Sequence, residues 1–269
     1  MIGSRLNRET ALGIAGLLIL ALFLIAVFWQ ASINASVKAN RVAPHGVALI
    51  DELSITDPNP SFISDFNRTV HQAGYWLDYY PPNDVSVGLF WALPALGYDV
   101  VVIRAHSTGW LPGDPISIIT GQQYNTWDFQ REQTTRMLYR SAIEQNKPAY
   151  FAVSSKFITQ ESSGNFPGSI IINMGCTGLI NTPMASAFIS KGAKAYIGWY
   201  GPILPYQTDT ATLTLTESLF LNHTRLAKAV SQASSLVAEA PTYQYNGLTY
   251  LGGLGLYPET SGTMIIANA

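Results

Sequence analysis

Residues 98–109 read Tyr-Asp-Val-Val-Val-Ile-Arg-Ala-His-Ser-Thr-Gly, and residues 169–178 read Ser-Ile-Ile-Ile-Asn-Met-Gly-Cys-Thr-Gly. Each is a short run of β-branched residues that ends in a reactive side chain and then a glycine. Apolar runs of this length, without polar alternation, are strands covered on both faces. Helical patterns stand between such runs, which predicts an α/β fold: a mostly parallel sheet with helices on both faces. In sheets of that kind, sites form outside the carboxyl ends of the strands. His106 and Cys176 both fall at that edge.

Working outward, Val47 to Asp51 reads as another buried strand, and Tyr75 to Tyr80 as a further one. Ser61 is a candidate cap for a helix over Phe62 to Ala73, where Phe62, Phe66 and Val70 recur at helical spacing. A short helix fits Val87 to Leu96, and a small strand fits Ile116 to Thr120. Phe129 to Asn146 is predicted helical and Tyr150 to Ile158 a strand. After Cys176, a helix opens near Thr182 with Pro183 in its first turn, and Ala195 to Trp199 is a strand. Thr208 is a candidate cap for helices from Asp209 to Ala238. This places an α/β domain over residues 46–240 and a strand-rich C-terminal extension over residues 241–269.

The amino-terminal part is of another kind. Ala11 to Trp29 carries no charge, and a membrane-spanning helix needs about 20 apolar residues. The run exceeds the 7–15-residue core of a cleaved signal peptide. Arg5 and Arg8 precede it, so the expectation is a signal anchor over 11–29, with residues 1–10 cytoplasmic and the main domain extracytoplasmic. Residues 30–45, rich in Ala, Ser and Asn, read as a stalk. Cleavage near Ala35 or Ala39 is the alternative.

Composition narrows the function. The net charge is −2, which gives no basic footprint for nucleic acid. Charged residues are only 12% of the chain, so Ser, Thr, Asn, Gln and Tyr must supply much of the polar surface, which suits an extracytoplasmic protein. One cysteine excludes an internal disulfide framework, and His, Cys and acidic residues do not cluster as a metal site requires. No cofactor is expected, and the oligomeric state is left open. A lone thiol is either buried and inert or kept for chemistry. Paired with an imidazole it can be a nucleophile, with His106 as the proton carrier and the N–H groups of Ser107 and Cys176 as oxyanion donors.

A strand ending in His106-Ser107, then one ending in Cys176-Thr177-Gly178, then a helix and strand through Met184 to Trp199, resembles the clan of cysteine peptidases that includes caspases, gingipains, clostripain and legumain. The similarity spans Val47 to Gln232 and is greatest with membrane-anchored archaeal members. It implies a caspase-like three-layer sandwich, a His106–Cys176 dyad, and a peptide or protein substrate. It also implies an aromatic wall at Trp199 and a specificity pocket drawing on the loop after the first strand. Asp57 lies in that loop and would favour a basic residue before the cleaved bond; the bland alternative is that it stabilises the Pro58 turn. The sequence departs from the clan at Ser107, where many members have glycine. The rival reading is a surface protein that keeps the fold without catalysis and binds a peptide or an envelope protein.

Overall fold

The computed structural model describes residues 45–109, 115–143, 147–237, 243–245, 248–250 and 253–266. The apolar segment 11–29 and the stalk to residue 44 lie outside the described residues. Among the described residues, no helix is long and apolar enough to cross a membrane.

The main sheet follows from three apolar runs that pair side by side. β1 (Gly46–Asp51), β3 (Val100–Arg104) and β8 (Ile170–Asn173) are buried along their whole length. β1 and β3 pair in parallel with Leu49 opposite Val102, and β3 and β8 with Val102 opposite Ile172. β2 (Trp76–Tyr80) and β9 (Ala195–Trp199) extend the parallel array on either side. β12 (Leu254–Tyr257) closes the β9 edge antiparallel, giving the order β12-β9-β8-β3-β1-β2. The C-terminal segment 241–269 thus contributes a strand to the main sheet; before it, β10 (Tyr243–Tyr245) and β11 (Leu248–Tyr250) pair antiparallel with each other.

Because side chains alternate along a strand, the sheet has two apolar faces, and both are covered. Val47, Leu49, Val102, Ile172 and Ile197 pack against α1 (Pro60–Gln72), α6 (Pro205–Phe220) and α7 (Leu226–Ser235) through Phe62, Phe66, Leu215, Leu219 and Ala229. Ala48, Ile50, Val101, Ile103 and Ile171 face α2 (Val87–Ala92), α4 (Ser155–Gln160) and α5 (Pro183–Ser190) through Phe90, Phe157, Met184 and Phe188. Helices therefore lie on both faces, as the apolar runs predicted.

A second sheet, of order β4-β5-β7-β6, is antiparallel and grows from the strand that follows His106. It comprises β4 (Ser107–Thr108), β5 (Ser117–Gln123), β6 (Leu138–Ala142) and β7 (Ala149–Ser154). Here the helix predicted over Phe129 to Asn146 is corrected. Helix α3 covers only Gln130–Thr134. Arg136 then takes a left-handed φ of 58°, and Leu138 onward pairs with β7. Ladder bonds to a neighbouring strand outweigh the local helical pattern. Two caps are also corrected. Asn59, not Ser61, caps α1, its Oδ1 accepting from the Phe62 N–H. Helix α6 begins at Pro205, so Thr208 lies inside its first turns.

Candidate active site

The register places the two reactive residues. Ile103 is opposite Asn173, and His106 and Cys176 each stand three positions further on. The ladder continues as the Met174 N–H donates to the Ile103 carbonyl (2.9 Å). The chain leaves both strands at one edge, and His106 and Cys176 line a single small cleft of about 60 Å3. Leu53, Met174, Ile203, Pro205 and Thr208 complete much of its wall. Gly175 makes this approach possible. A Cβ there would lie 2.6 Å from both the Ala105 carbonyl and Ser107 Oγ.

The thiol sits in a neutral setting. Cys176 Sγ is 3.4 Å from the Ile203 carbonyl, to which it donates, and accepts from the Ile203 N–H at 3.5 Å. Burial pushes the thiol above its ordinary value, and the Ile203 main chain pulls it back in part. Burial therefore favours the neutral thiol over the thiolate.

The imidazole is held from the segment after β1. His106 Nε2 lies 2.9 Å from Thr56 Oγ1. The Thr56 hydroxyl donates to the Leu53 carbonyl (3.3 Å), so it receives a proton from the ring, and Nδ1 is the basic nitrogen of the neutral imidazole; this tautomer is assigned from the hydrogen-bond network. The His106 N–H donates to Glu52 Oε2 at 2.7 Å. Glu52 is fully buried, and burial, followed in size by the opposing His106 N–H bond and then the neighbouring Asp51, lifts its carboxyl to about 8.

Beneath the pair lies a buried ion cluster. Arg104, the last residue of β3, donates through Nε and Nη2 to Asp209 (2.7 and 2.9 Å) and through Nη1 to Asp51 (2.8 Å). Its Nη2 also holds the Asp57 carbonyl (2.9 Å). One guanidinium thus ties the segment carrying Thr56 to helix α6, whose start walls the thiol.

Ser107 has two roles in the geometry. Its hydroxyl donates to the Cys176 carbonyl, bridging the two reactive segments. Its main chain stands opposite Ile118, while the His106 carbonyl accepts from the Ile119 N–H (2.8 Å). In an antiparallel ladder this pattern turns the Ser107 N–H away from β5. The Cys176 N–H follows directly on Gly175 at the same edge.

The other expected residues are placed differently from one another. Trp199 is only 1% exposed, in the core under α6, so it offers no wall to a substrate. Its indole donates to Thr208 Oγ1 (2.9 Å), and Thr208 donates to the Met174 carbonyl (3.0 Å), so Trp199 backs the cleft from inside. This corrects the aromatic wall expected there: a β9 residue facing α6 is consumed by packing. Asp57 is half-buried with its carbonyl held by Arg104. Thr56 and Glu52 acquire contacts to His106 that sequence reasoning did not assign. The signal for them was the polar run Asp51-Glu52 at the carboxyl end of a buried strand.

A larger cavity, about 580 Å3, lies between α7, β12 and Tyr200. Ser231, Ser234, Ser235 and Glu259 supply its polar lining among the described residues, without a thiol or imidazole. The sequence matches no protein-family model and no curated protein.

Proposed function

We propose that this protein is a cysteine-type endopeptidase with the caspase-like fold, in which Cys176 and His106 form the dyad. The observation that carries the reading is their meeting in one cleft at the carboxyl edge of adjacent parallel strands. Cys176 passes its proton to His106 Nδ1, and the thiolate attacks the peptide carbonyl carbon. The carbonyl electron pair moves to oxygen, where the Ser107 and Cys176 N–H groups receive it. The C–N bond then breaks as the imidazolium protonates the leaving amine. Water, giving a proton to His106, hydrolyses the thioester and restores the thiol. No cofactor is required by this chemistry.

The uncharged run 11–29 supports anchoring in a membrane, with the enzyme domain outside the cytoplasm. Asp57, in the segment clasped by Arg104, is the proposed source of a preference for Arg or Lys before the cleaved bond.

A second reading, a fold that binds a peptide without cleaving it, is favoured by one observation. The thiol is raised by burial and engaged with Ile203, in a cleft of only about 60 Å3.

Labelling of the full chain in detergent by thiol-directed peptidyl electrophiles separates the two. The catalytic reading expects rapid labelling of wild type, none of Cys176→Ala, and labelling of His106→Ala slowed by about 10²–10⁴-fold. Equal rates for wild type and His106→Ala, or no labelling of wild type, favours the binding reading. Probes with Arg and with Ala next to the reactive group test Asp57. A ratio unchanged in Asp57→Ala removes it from the pocket.

A further inference from the structure

The connection between β6 and β7 helps to build a second recess beside the imidazole, and the steps above leave it unused. Ile143, Lys147 and Pro148 from that connection and Tyr150 of β7 line one pocket with Ile55 and Thr56 from the segment after β1. Its volume is about 220 Å3. Small-molecule sites commonly run to roughly 300–1,000 Å3, so this one suits a single side chain better than a whole ligand. The walls are largely apolar, formed by the isoleucines, the proline and the ring of Tyr150. Lys147 supplies the charge in that lining among the described residues. It is exposed, so its stem can lie along the apolar wall while the ammonium stays in water. Among the described residues it is paired with no carboxylate.

The pocket shares a residue with the surroundings of the dyad. Thr56 lines it and also meets His106 Nε2 at 2.9 Å. The cleft that holds Cys176 is walled by other residues, Leu53, Met174 and Ile203 among them. Contacts therefore run from the thiol cleft through the imidazole to Thr56 and the pocket. Cleavage divides a peptide in the same order. The acyl carbon becomes bonded to sulfur, while the leaving nitrogen takes its proton from the imidazole. The residue carrying that nitrogen must lie against His106, with the pocket beyond Thr56 in the path of its side chain. We propose that this pocket binds the side chain immediately after the cleaved bond, and that Lys147 makes it selective for an acid, glutamate above all. The inference rests on the dyad reading. Glutamate brings a methylene stem for the Ile55, Ile143 and Pro148 wall and a carboxylate for the Lys147 ammonium. A lysine or arginine in the same place sets like charges together, which disfavours it.

The test is digestion of a synthetic library of random short peptides by the full chain in detergent, with every cut mapped by mass spectrometry. Only cuts absent from a Cys176→Ala digest are counted. Wild type is expected to show acidic residues directly after the cut at roughly threefold to tenfold the frequency of Lys and Arg, the discrimination that one solvent-exposed ion pair and its like-charge counterpart supply. Lys147→Glu, a change at an exposed position outside the strands, should reverse that order. Lys147→Met should bring acidic and basic residues to equal frequency after the cut, while the pattern before the cut stays as in wild type. That second readout separates a local charge effect from a general loss of activity. The same ratio in wild type and Lys147→Glu overturns the subsite and leaves the dyad standing. A wild-type digest without Cys176-dependent cuts overturns the dyad reading, and the subsite with it.

Discussion

The two sides of the cleft are built from opposite materials. His106 stands above a bed of buried ionisable groups: Glu52 on its N–H, and the Asp51, Arg104 and Asp209 ion cluster below. Cys176 is surrounded by Leu53, Met174 and the Ile203 main chain. For the proposed dyad, the difference bears on where activation would come from. An apolar surround disfavours the thiolate, so in that reading the imidazole side would draw the proton off. The ionisable groups stand on the side of the imidazole, and the thiol sits in a setting that favours its neutral form.

The most damaging way to break this contrast is to remove the guanidinium. Arg104→Met leaves Asp51 and Asp209 buried without their partner, and such a loss costs about 3–5 kcal/mol. Urea denaturation should show it as a fall in midpoint. A loss under about 1 kcal/mol would mean that the carboxylates relax into solvent and that the cluster does not organise the site. A second effect concerns Glu52 alone. Its folded-state value is raised from 4.5 to about 8, so the protonated form is favoured by folding. Its contribution is complete below about pH 4.5, falls as pH rises toward about 8, and is level beyond. The slope approaches 1.4 kcal/mol per pH unit within that window. Glu52→Gln should flatten that stretch of the stability profile. Parallel wild-type and variant curves across the window would show that Glu52 titrates as an exposed carboxyl does.

Much of the fold was legible because burial is written directly into β-branched runs. Val100 to Ile103, Ile170 to Ile172 and Ala195 to Ile197 could be little other than covered strands, and their parallel order follows from the helices between them. The second sheet was not legible. Leu138 to Ala142 mixes Tyr, Arg and Ser and earns its strand state only from pairing with β7, a long-range condition that no local pattern carries. In the site, His106 and Cys176 were visible because each ends an apolar strand. Trp199 misled because an aromatic at a strand end serves equally as a pocket wall or as core; the Thr208 hydroxyl, one turn into α6, decides for core. Glu52 and Thr56 share a segment whose path over His106 depends on Arg104 gripping the Asp57 carbonyl from another strand. That grip is a tertiary fact, invisible in the polar run itself.

The finest test of the contrast is Thr56, which touches the His106 imidazole without adding charge. Its hydroxyl gives its proton to Leu53 and accepts from His106 Nε2, so it selects the tautomer whose Nδ1 is basic and fixes the plane of the ring. Thr56→Val keeps the shape and deletes the hydroxyl. A neutral hydrogen bond is worth about 0.5–1.5 kcal/mol, so the alkylation rate of Cys176 at neutral pH should fall by roughly twofold to tenfold. Thr56→Ser should restore it, since the serine hydroxyl can serve both the Leu53 carbonyl and the ring. The loss should appear as a change in rate with little movement of the titration midpoint, because no charge is gained or lost. A marked shift of the midpoint would instead mean that Thr56 acts by shielding the charged bed from water. The distinction between a base steered by hydrogen bonds and one biased by charge would then have to be drawn elsewhere in the segment.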